Sequence, residues 1–133
     1  MTRQSRRTFL ASASLLTLGT VTKAAPMQNE KSAVIHHVFF WLKNPKSTED
    51  RDKLIEGVKT LGKIESVRAI HVGVPAHTPA RAVVDASYNV TELIFFDDLE
   101  GQSTYQDHPV HQAFVKNYGP LWKKVVVYDS ATV

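Results

Sequence analysis

The sequence predicts an α+β domain: a four-stranded antiparallel sheet covered on one face by helices. Three observations predict it. Runs rich in β-branched and aromatic residues alternate with helical periodicity in the order strand, helix, strand, strand, helix, strand. Pro, Gly, Asn or Asp punctuates most of the junctions. The chain has 133 residues, a one-domain length that can bury a modest core.

Residues 33–42 are an almost continuous apolar run, expected to be a strand buried on both faces. Alternation puts His37, Phe39 and Trp41 on one face and His36, Val38, Phe40 and Leu42 on the other. Asn44-Pro45 ends it. A helix opens at Ser47-Thr48-Glu49-Asp50, with a hydroxyl cap and acids in the first turn. Leu54, Ile55, Val58 and Leu61 form its apolar stripe, and Gly62 is the expected stop. Strands are predicted over 67–74 and 88–96, joined by a loop with two prolines. A short helix over 99–107 is followed by a second one that restarts at His108-Pro109, since proline suits the first helical position. Gly119-Pro120 closes that helix, and 125–129 is the last strand.

This order is the split βαβ arrangement of a ferredoxin-like fold. Its helices cover one face of the sheet, yet the first strand is apolar on both. A homodimer packed sheet against sheet, as a dimeric α/β barrel, is the expected solution.

The first 24 residues read as a twin-arginine export signal. Arg6-Arg7-Thr8-Phe9-Leu10 precedes a mildly apolar stretch too short and polar for a stable membrane span, and small residues close it. Cleavage is expected after Ala24, followed by a flexible lead-in over 25–32 and the domain over 33–133. The localisation that follows is periplasmic, or exported by that route. The whole chain carries 16 basic and 13 acidic residues, formally +3. Four of the bases and none of the acids lie in 1–24, which leaves 12 bases against 13 acids, or −1, in the remainder. A nucleic-acid partner thereby loses its electrostatic support. The absence of cysteine excludes thiolate chemistry and disulfides.

Three segments resemble the Dabb family, the stress-responsive dimeric α/β-barrel domain: His-His-Val-Phe-Phe-Trp-Leu-Lys at 36–43, Tyr-Gln-Asp-His-Pro-Val-His-Gln-Ala-Phe at 105–114, and Val-Val-Val-Tyr-Asp at 125–129. The resemblance implies the same fold and dimer. For the cyclase branch of that family it implies catalysis by a first-strand histidine, the motif tyrosine and the motif's second histidine. These fall on His37, Tyr105 and His111, with His36 beside His37 as the alternative for the first place.

Imidazoles with pKa near 6.5 can move protons at neutral pH, and a tyrosine hydroxyl can donate to a developing oxyanion. Together they suit proton abstraction beside a carbonyl, provided that the His37 face of the strand meets the helices. Phe39, Trp41, His108 and Phe114 are the candidate ligand-binding residues, although His108 also fits a helix cap and the aromatics fit a core. His108 and His111 have an i, i+3 spacing that a metal can use, but only Asp107 lies near as an acid and it serves better as a cap. No metal and no cofactor are therefore expected. Phosphate loops, nucleophile elbows and paired carboxylates are missing from the sequence. The sequence thus leaves two functions open: binding of a small apolar or aromatic molecule with cyclase-like or lyase-like acid–base chemistry, and a non-catalytic stress-response or assembly role carried by the barrel.

Overall fold

A computed structural model describes residues 31–133; the expected signal and nearly all of the lead-in lie outside the described residues. Four strands form one antiparallel sheet: β1 (Val34–Leu42), β2 (Ala69–Gly73), β3 (Val90–Phe96) and β4 (Trp122–Ala131), in the order β2-β3-β1-β4. Three helices lie on one face: α1 (Thr48–Thr60), α2 (Leu99–Asp107) and α3 (Pro109–Tyr118). This is the ferredoxin-like α+β fold.

The helices start where their caps dictate. Asp50 N donates to Ser47 Oγ at 3.1 Å before α1, and Gly101 N donates to Asp98 Oδ1 at 2.8 Å before α2. Each satisfies a backbone donor that the first turn leaves unpaired. Between α2 and α3 the chain turns at His108, whose Nδ1 accepts from Val110 N at 3.1 Å with Pro109 next in line. At Gly57 the ring of Tyr118 comes within 2.7 Å of where a Cβ would stand, so only glycine lets α1 and α3 approach this closely.

Several strand boundaries differ from the sequence expectation: β2 is shorter at both ends, β4 is longer at both ends, and two strand starts have a visible cause. β3 begins at Val90, two residues late, because the Asn89 side chain binds the end of β1: its Oδ1 accepts from Leu42 N at 2.9 Å. β4 begins at Trp122, earlier than expected, because this edge strand pairs along the whole of β1.

The two faces of β1 are not equivalent. Val34, Val38, Phe40 and Leu42 are buried beneath the helices with Leu54 and Val58 of α1, Tyr105 of α2, Phe114 of α3, and Val90, Ile94 and Phe96 of β3. Each large apolar side chain so buried contributes about 1.5–3 kcal/mol. Ile35, His37, Phe39 and Trp41 point to the other face, which no helix among the described residues covers and where they are only partly buried. Phe95 and Tyr128 stand exposed on that same face, opposite Ile35 and His37 in the register.

Candidate acid–base site

The face of β1 that meets the helices carries His36, not His37. This corrects the grouping of His37 with Tyr105 and His111. Alternation separates the two histidines, but β1 is apolar on both sides, so its own pattern cannot say which side the helices take. The neighbouring strand decides: Val90, Ile94 and Phe96 are buried with the His36 face, whereas Thr91 and Leu93 accompany His37.

On the helix side five polar residues from five elements converge. His36 of β1 is 6% exposed, and its Nδ1 lies 2.6 Å from Oδ1 of Asp129, its cross-strand partner on β4. A carboxylate oxygen only accepts, so Nδ1 is the donor of this pair and Nε2 is turned to the opposite side of the ring. That Nε2 faces Oε1 of Glu92 on β3 at 4.0 Å. Tyr105 of α2 donates its hydroxyl to the same Oε1 at 3.3 Å. The Tyr105 ring sits 5.6 Å from the His36 ring and 4.8 Å from the ring of His111 on α3, centroid to centroid.

Burial sets the protonation of this cluster. Glu92, 2% exposed, has its pKa pushed up to about 8, because desolvation outweighs the Tyr105 hydrogen bond. Tyr105 is raised above the ordinary phenol value, first by burial and then by Glu92 and Asp129. His111 is lowered, mainly by burial, against an opposing hydrogen bond with the Gln106 backbone, and is therefore neutral at pH 7. The cluster thus offers a neutral imidazole at His111, a carboxylate-oriented imidazole at His36 and a phenol that stays protonated.

An apolar strip borders these groups. Val125 and Val127 lie opposite Phe40 and Val38 on the same side of the sheet, yet they are 43% and 44% exposed. Asp129 continues that strip to His36.

The remaining candidates fall elsewhere. His37 is on the open face, where its Nε2 lies 3.1 Å from Thr91 Oγ1 and its ring packs on Phe39. Its pKa is lowered by burial first, then by His71 and His36. Phe39 and Trp41, with Asp85, Tyr88 and Tyr128, line a separate cavity of about 140 Å³ on that open face, across the sheet from His111. Phe114 is buried in the core, with its ring centroid 6.5 Å from that of His111. His108 caps α3, with Nδ1 accepting from Val110 N and Nε2 3.2 Å from Glu65 Oε2. Among the described residues no group of three or more His, Cys, Asp or Glu is arranged to hold a metal, and no helix is long and apolar enough to cross a membrane.

Glu92 and Asp129 escaped the sequence reading. A signal existed for both. Glu92 is in phase with Val90, Ile94 and Phe96, so an acid stands on the face that their alternation marks as buried. Asp129 is likewise in phase with Val125 and Val127.

Fold and cluster together define a ferredoxin-like domain with a largely buried cluster of titratable side chains between sheet and helices. The chain belongs to the Dabb family, the stress responsive A/B barrel domain, whose model matches residues 34–132. No curated protein sequence matches it. Among solved structures it is similar to a Dabb-family protein with a ferredoxin-like fold from Mesorhizobium loti, at 23% identity over 77% of this chain and 98% of that one, TM-score 0.62. It is similar to a dimeric ferredoxin-like protein from Thermobifida fusca, at 18% identity over 79% and 98%, TM-score 0.62. A hydroxynitrile lyase from Passiflora edulis aligns at 20% identity over 77% and 95%, TM-score 0.65.

Proposed function

We propose that the protein binds a small apolar or aromatic carbonyl compound on the Val125–Val127 strip and moves a proton on it with the His36–Asp129 pair. The observation that carries this reading is the position of that exposed apolar strip directly beside an oriented imidazole. In this reading His36 Nε2 takes a proton from the carbon next to the carbonyl, and Asp129 stabilises the imidazolium that forms. His111, neutral and half-buried, completes the polar wall with Tyr105. The lyase from Passiflora edulis supports the reading only in that the same fold accommodates enzymatic chemistry.

The test is solvent-deuterium exchange of the α-protons of a small aryl ketone, followed by proton NMR. Exchange should fall about 10²–10⁴-fold in His36→Ala and drop strongly in Val127→Lys. Absence of protein-catalysed exchange, together with absence of ketone binding, would overturn the reading.

We also propose that the open face pairs with that of a second copy. Phe39, Phe95 and Tyr128 lie on that face with no helix over them among the described residues, and the Thermobifida fusca structure is described as dimeric. Sedimentation equilibrium should give a dimer that Phe95→Asp converts to a monomer; a monomeric parent chain at micromolar concentration would sink this proposal. Export through residues 1–24 remains the proposal for localisation, checked by fractionation and N-terminal sequencing of the cellular protein.

A further inference from the structure

The helix-side cluster contains a carboxyl group with more bonding capacity than its surroundings use. Glu92 lies in the centre of β3 between Thr91 and Leu93, with its side chain under the helices. Its Oε1 accepts from Tyr105, but its Oε2 is buried and has no hydrogen-bond partner among the described residues. An ionised carboxylate there would leave a charged oxygen desolvated and unpaired, which is strongly unfavourable. No Lys or Arg is paired with it among the described residues. The groups facing it are His36 from β1 at 4.0 Å and Tyr105 from α2, with His111 of α3 and Asp129 of β4 one residue further out.

A neutral carboxylic acid resolves this arrangement. Its carbonyl oxygen, Oε1, accepts the Tyr105 hydroxyl, and its hydroxyl oxygen, Oε2, becomes a donor. Tyr105 then positions the acid, and its own hydroxyl is used up in doing so. We infer that Glu92 is the group that recognises the ligand's oxygen: held neutral, it donates from Oε2 to a carbonyl or enolate-like oxygen that reaches past Val38 from the apolar strip into the helix-side cluster. The upward pKa shift agrees with that protonation state. This deepens the functional reading above and rests on it. It names the substrate class as a compound whose reacting carbon sits next to an oxygen that gains negative charge, and it divides the labour between His36 as base and Glu92 as hydrogen-bond donor. Donation from a buried, preoriented group is most effective where charge develops on the acceptor.

Two measurements on the full chain test it. Infrared difference spectra of the parent protein against Glu92→Gln at about pH 7 should show a protonated-carboxyl band that the variant lacks; a carboxylate band in its place overturns the inference. The second uses 4-nitrophenol, a ring with an enolate-like oxygen whose absorbance separates phenol from phenolate. Glu92→Gln, which keeps an N–H donor, should bind it within about threefold of the parent. Glu92→Leu should lose about ten- to hundredfold. Equal binding by Glu92→Leu leaves the ligand-binding reading in place and overturns the role of Glu92. No binding by the parent protein overturns both.

Discussion

His36 and His37 are neighbours on one strand, yet they live in different chemical settings. His36 is enclosed with a carboxylate on one ring nitrogen and a second acid near the other. His37 lies on the face that the described helices leave open, against a threonine hydroxyl and an aromatic ring. One step along a strand reverses the side of the sheet, so the packing of other elements, and not the residue's own identity, decides which imidazole can do chemistry.

The sharpest way to break this contrast is paired replacement. His36→Ala should cost about 2–4 kcal/mol in urea unfolding, because it opens space in the core and strands Glu92 and Asp129 without their imidazole. His37→Ala should cost less than about 1 kcal/mol in the same measurement on a monomeric Phe95→Asp background. Equal costs would mean that the two faces are not energetically distinct.

A second comparison uses pH. Glu92 has a folded pKa raised above its unfolded one, so the folded state holds its proton more tightly. Stability from this group is complete below the unfolded value of 4.5 and is lost as pH rises toward about 8. His111 and His37 act oppositely: their lowered pKa values make stability fall as pH drops below about 6.5. Glu92→Gln should therefore flatten the decline between pH 5 and 8, by an amount on the order of a few kcal/mol, and leave the acid-side decline in place. An unchanged slope in denaturation at several pH values would show that Glu92 is not the group responsible.

The smallest effect concerns the turn that aims α3. His108→Ala removes the α3 cap and should cost about 1 kcal/mol, while His108→Asn restores most of it. A large loss of ligand binding with unchanged stability would instead return His108 to the site.

Element order, caps and the separation of the two histidines were legible in the sequence, because each depends on local periodicity and on side chains that bond their own backbone. Ser47 and Pro109 announce their helices directly. The side of β1 that the helices choose was not legible, since Phe39 and Phe40 make both faces equally apolar. The site was half legible for the same reason. Tyr105 and His111 come from one helical motif and stay together, whereas Glu92 and Asp129 reach His36 only through strand register, a long-range property. A charged residue in phase with apolar ones is the mark that such partners leave behind.

The hydroxyl of Thr91 has a consequence for the unused histidine. It has a single hydrogen, which it donates to Val38 O at 2.7 Å. The contact between Thr91 and His37 Nε2 must then run the other way, with the imidazole donating. His37 is thus fixed as the Nε2–H tautomer, while Asp129 fixes His36 as the Nδ1–H tautomer. Adjacent rings on one strand are held in opposite prototropic forms, and nitrogen-15 NMR should show their two ring resonances in reversed order.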